Sequence, residues 1–168
     1  YKDSADLMKE YAAQAFETAG LSANAYMETA TSFAAGLVNS LGGDTQAAAE
    51  AANTAIIDMA DNANKMGTSI GDIQNAYQGF AKGNFQLLDN LKLGYGGTKT
   101  EMLRLVKDAG VVDESVKSLD DVSFDQMIQG IHIIQEQMNI TGTTAKEAQG
   151  TIEGATGSLQ SAWQNLLT

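Results

Sequence analysis

Apolar residues recur at three- and four-residue steps along most of the chain, and glycines break the pattern into short pieces. Leu7, Met8, Tyr11, Ala12, Ala15 and Ala19 fall on one helical face, and Gly20 supplies its stop. Ser22 is placed to cap a second helix. Its inward face reads Tyr26, Ala30, Phe33, Ala34, Leu37 and Leu41, ending at Gly42-Gly43. Asp44 caps a third, whose face carries Ala48, Ala52, Ala55, Ile56, Met59, Ala63 and Met66 before Gly67 ends it. A fourth presents Ile70, Ile73, Tyr77 and Phe80.

The centre has another texture. Residues 85–91 make a helical turn or two, and Leu93-Gly94-Tyr95-Gly96-Gly97 follows. Three glycines in four residues require positive φ or close backbone contact, so this stretch reads as a tight, ordered connection. Thr98 with Glu101 makes a capping box ahead of Met102, Leu103, Val106 and Ala109, and Gly110 ends that helix. Residues 111–119 read as a loop with one short turn. Ser123 with Gln126 opens an amphipathic helix of Phe124, Met127, Ile128, Ile131, Ile134 and Met138, broken over 139–142. Thr144 with Glu147 caps a short segment, Gly150, Gly154 and Gly157 loosen the next, and Leu159, Ala162, Trp163 and Leu166 form a last apolar face.

The chain is therefore expected to be all-α: a compact multi-helix bundle of about eight to ten short helices with Gly-rich connections. No segment alternates with period two, and no repeat of fixed length is evident. One unbroken helix of this length would run about 250 Å. The glycine stops exclude that, and a compact body would have a radius of gyration of about 15 Å. Residues 1–93 read as an N-terminal Ala-rich half and 94–168 as a C-terminal half, with a single domain over 1–168 as the alternative. A chain that opens on Tyr1-Lys2 reads as a segment of a longer protein.

Composition sharpens this. Of the 168 residues, 43% are hydrophobic, enough for a core, but many of these are Ala, so the helices must approach closely. Pro is absent, which suits long helical stretches. Cys is absent too, which removes disulfides, thiolate metal sites and cysteine nucleophiles. Net charge is −11 and both halves are acidic, so both repel DNA phosphate and nucleic-acid sequence readout is not expected. No apolar run approaches the ~18 residues of a membrane span.

Candidate chemistry is sparse. Gly94-Tyr95-Gly96-Gly97-Thr98-Lys99-Thr100 faintly resembles a phosphate loop, but Thr98 stands where Gly should precede the Lys, and no buried strand leads in. A packed glycine turn is the better reading. His132 is the only histidine; alone on the edge of an apolar face, it reads as a partly exposed helix residue rather than a ligand or base. Asp120, Asp121 and Asp125 suit the positive end of a helix dipole and lack the Gly and closing Glu of a calcium loop. Asn139-Ile140-Thr141 matches a glycosylation sequon by pattern only. Gly36, Gly79 and Gly130 lie inside predicted helices, at a cost of about 1 kcal/mol each, which points to a close helix crossing or a bend, with packing the better reading than a hinge. No catalytic, cofactor-binding or metal-binding residue is assigned, and no cofactor is expected.

Residues 70–102 closely resemble tail tape-measure proteins of siphophages and prophages of Gram-positive bacteria. The core of the likeness is Leu88-Asp89-Asn90-Leu91-Lys92-Leu93-Gly94-Tyr95-Gly96-Gly97-Thr98-Lys99. Upstream, Ala34-Ala35-Gly36-Leu37 and residues 55–66 are similar to the family's Ala-rich helices. Downstream, residues 143–148 lead to 158–167 with Trp163. The family often has a tighter Thr-Ile-Ser-Gly-Ser link there, where this chain reads Thr151-Ile152-Glu153-Gly154-Ala155-Thr156-Gly157-Ser158.

The resemblance implies a non-enzymatic structural module acting in tail assembly, tail-length determination and DNA ejection. Tail tube, tail chaperone and tail-tip proteins would be its partners, with a homo-oligomer left open. Its place would be the virion tail, assembled in the bacterial host cytoplasm. The alternatives are a bacterial surface or signalling helical domain and a tail-borne cell-wall hydrolase segment. If the glycine turn fixes the relation of the two halves, Gly96→Val should lower the melting temperature markedly.

Overall fold

The computed structural model describes residues 2–145. The expected features at Gly150, Gly154, Gly157, Leu159, Ala162, Trp163 and Leu166 lie outside these residues. The described chain is all-helical, with no strand. Its helices are α1 (Lys2–Ala19), α2 (Ala23–Ser40), α3 (Thr45–Met66), α4 (Ile70–Ala81), α5 (Lys99–Asp108) and α6 (Phe124–Gln137). A further helix opens at residue 143. That makes seven helices among the described residues, against the eight to ten expected of the whole chain. The last expected helix lies outside the described residues, and the central pieces close only as 3-10 turns, at Leu88–Leu91 and Leu119–Asp121. Each is too short to propagate an α-helix.

Caps read from the sequence form as hydrogen bonds. The Ser22 hydroxyl accepts from the Ala25 amide at 3.1 Å, and the Asp44 carboxylate from the Ala47 amide at 3.0 Å. Four helix ends close alike, with an amide beyond the end reaching back to the third-last carbonyl: Gly43 to Val38, Asn84 to Gly79, Val111 to Val106 and Ile140 to Gln135. At the last of these Asn139 takes φ +60°, which explains the break predicted over 139–142. It also corrects one position. Met138 ends up 40% exposed, because the reversal puts Ile140, 1% exposed, into the core in its place.

The buried residues from Ala12 to Ile140 form one cluster. α3 runs through it and touches α1, α2, α4 and α6. Ala12, Ala15 and Ala19 of α1 and Ala48, Ala52 and Ala55 of α3 are all buried, giving the close approach that an Ala-rich composition implies. The larger fillers are Tyr26, Leu37, Ile56, Met59 and Ile128, each at most 2% exposed. Truncating Leu37 or Ile56 to Ala would cost about 2–5 kcal/mol. Gly36 and Gly130 sit at helix crossings. A β-carbon at Gly130 would lie 3.0 Å from Val106 Cγ1, where α6 meets α5, and one at Gly36 would lie 3.3 Å from Ala81 Cβ. Gly79 does not sit at a crossing: a β-carbon there would meet the Asn84 carbonyl oxygen at 2.9 Å, in the turn that closes α4 itself.

Candidate functional site

Among the described residues two polar clusters stand out. The first is a seam between α3 and α6. Asp58, Asp61 and Asn62 follow the three- and four-residue spacing of one helical stripe, and all three are 0% exposed. Opposite them, α6 presents His132 and the fully buried Gln135. Nδ1 of His132 lies 3.0 Å from both carboxylate oxygens of Asp58. Its Nε2 lies 3.3 Å from Glu136. Asn62 donates to the Leu91 carbonyl at 2.9 Å and to Gln135 Oε1 at 3.0 Å, and accepts from the Thr68 hydroxyl at 2.9 Å. Gln135 in turn donates to the Asp58 carbonyl at 3.1 Å.

Asp61 completes the seam. Its two oxygens accept from the Gly142 amide at 2.8 Å and the Thr144 amide at 2.9 Å. The helix that opens at 143 is therefore capped from α3. The expected cap at Thr144 is displaced, because Thr144 already lies inside the helix; its expected partner Glu147 lies outside the described residues.

Burial governs the electrostatics here. Desolvation pushes Asp58 up to about 6, against the pull of the His132 hydrogen bond. His132 is raised as well, chiefly by its hydrogen bond to Asp58. Such a pair titrates as a unit, and both shifts say that the folded chain holds protons more tightly than free side chains do. Tyr77, fully buried on α4, is pushed up by burial and by the Asp58 charge, and its hydroxyl has no hydrogen-bond partner among the described residues.

The second concentration is the glycine turn. The Glu101 carboxylate takes the Gly96 amide at 3.1 Å and the Arg104 guanidinium at 2.7 Å. Arg104 also donates to the Gly94 carbonyl at 3.0 Å, and its guanidinium sits 4.2 Å from the Tyr95 ring centroid. Tyr95 donates to Asp108 at 2.6 Å. Its hydroxyl is pushed up to about 12 by burial first and by that bond second. The Arg104 contact, then the Gly96 amide, holds Glu101 down at about 2. Thr98 caps α5 through the Glu101 amide at 3.1 Å, but the carboxylate bypasses Thr98 for Gly96, so the predicted capping box is only half formed.

The tight glycine is Gly97 rather than Gly96. A β-carbon on Gly97 would overlap the Gln86 carbonyl oxygen, whereas one on Gly96 meets Glu101 Cγ at an ordinary 3.5 Å. The marked effect expected of Gly96→Val therefore moves to Gly97.

The expected acidic group does not stay together. Asp120 and Asp121 are exposed, while Asp125 is buried and accepts from Ser40 at the end of α2 at 2.5 Å. Among the described residues no set of three or more His, Cys, Asp or Glu could hold a metal ion, and no helix is long and apolar enough to cross a membrane. No family model, curated protein or solved structure matches the chain.

Chemically, the seam has the carboxylate–imidazole half of a hydrolytic triad. Its free nitrogen faces Glu136, however, and His132 has no hydroxyl partner among the described residues. The arrangement can hold and exchange a proton and fix one helix on another. Sequence reading placed His132 at a helix edge, where its side chain is indeed 32% exposed, but missed Asp58.

Proposed function

We propose that this chain is a structural module of a phage tail tape-measure protein, acting in tail assembly and tail-length determination, and that it is not an enzyme. The observation that carries this reading is the run of residues 88–99, which bears the family likeness. Its residues also make a single interlocked connection: Leu88, Leu91 and Leu93 are buried, and Arg104 ties the glycines to α5. A long family-like run whose side chains serve packing and turn geometry suits a structural role. The two polar clusters support the same reading, because each is spent on joining helices.

In-frame removal of residues 1–168 from the encoding gene tests it. Tails seen by negative-stain electron microscopy should be shortened or missing, and tails of normal length and number would overturn the proposal. Purified chain should leave peptidoglycan intact; turbidity loss would favour the cell-wall hydrolase alternative. Normal tails together with the protein at the cell envelope would favour the surface or signalling domain.

A further inference from the structure

We infer that the contact of His132 with Asp58 is a proton-dependent clasp that holds α6, and the chain that follows it, on α3. The geometry stands on its own. Asp58 is fully buried, and among the described residues the only side chain that hydrogen-bonds its carboxylate is the His132 imidazole. The groups around this pair add no positive charge: Asp61 on α3, Glu136 on α6 and the Tyr77 hydroxyl on α4. Among the described residues His132 is thus the single cation beside the buried Asp58 carboxylate. Removing its proton leaves the Asp58 carboxylate without a positive partner in a low-dielectric interior, beside Asp61, whose oxygens are held by the Gly142 and Thr144 amides.

The sign follows from the shifts. His132 binds its proton more tightly folded than unfolded, so its contribution is complete below about 6.5 and is lost as pH rises through the higher folded value. Asp58, raised to about 6, acts in the same direction over the range beneath. Stability therefore falls from mildly acidic to alkaline pH, and the junction that weakens is α3 with α6. Because Asp61 also caps the helix opening at 143, loosening α6 frees the start of that helix too.

A chain with one histidine makes the test direct. The proton NMR signals of the His132 ring, followed from pH 4 to 10 in the folded chain, should give a midpoint above that of a free imidazole, and Asp58→Asn should lower it. Over the same range the melting temperature of the wild-type chain should fall from pH 6 to pH 9, with a smaller fall in His132→Gln. A wild-type midpoint at or below the free value, or the same fall in both proteins, would overturn the inference. The wild-type titration needs no variant to fold. None of these readouts depends on the tail function, so the two proposals can fail separately.

Discussion

The two polar networks of this molecule use the same kinds of side chain for opposite reasons. Around the glycine turn, Arg104 and Asp108 are about half exposed, and Glu101 and Tyr95 are partly exposed beside them. Their charges are already solvated, so pairing them gains little beyond orientation. In the α3–α6 seam, Asp58, Asp61, Asn62 and Gln135 have lost their water entirely. Each must find its partners inside the protein or impose a penalty of several kcal/mol. The exposed network tunes a loop that backbone sterics already shape. The buried one decides whether two helices can sit together at all. Short contact distances occur in both, so distance does not separate them; desolvation does.

The largest effect is expected of His132→Ala. It leaves Asp58 buried without its cation and should cost about 3 kcal/mol, or roughly 6–12 °C in melting temperature. Replacing both partners with Leu should recover much of that loss. A single variant that melts like the wild type would show the seam to be no costlier than the surface cluster. Next in size is Gly97→Ala, where the added methyl collides with the Gln86 carbonyl oxygen. About 1–3 kcal/mol is expected from thermal unfolding, with Gly96→Ala as the mild control. Equal losses at the two positions would remove the assignment of the tight contact to Gly97. The smallest effect belongs to Arg104→Gln. Its melting temperature should stay close to wild type and become less sensitive to salt between 0.05 and 0.5 M, since screening acts on exposed pairs. A loss as large as that of His132→Ala would mean that the surface network carries the turn.

Much of the scaffold was legible because it rests on local rules. Ser22, Asp44 and Thr98 bond to the amides their positions suggest, and helices end where a glycine or Asn139 permits positive φ. The seam was not legible because its logic is tertiary. On α3, Asp58, Asp61 and Asn62 look like the wet side of an amphipathic helix whose dry side is Ala55, Ile56 and Met59. In the fold α3 is enclosed, and residues 58–62 are all buried in succession. The sequence carried a faint sign of this: a polar stripe on α3 and another at His132 and Gln135 on α6, each at helical spacing. Nothing local says that the two stripes face one another. The same limit explains Gly96 and Gly97, which look equivalent until the Gln86 carbonyl is placed beside one of them.

The Asp61 contact has a consequence for anyone wishing to shorten or transplant this bundle. Its carboxylate has its hydrogen bonds with backbone amides some eighty positions downstream, so a fragment cut after α6 would keep the charge and lose both donors. Any autonomous version must carry the chain to at least residue 144, and a circular permutant opened between 137 and 142 would strand the same group. The smallest independent unit is thus set by one acid's demand for donors rather than by where a helix ends.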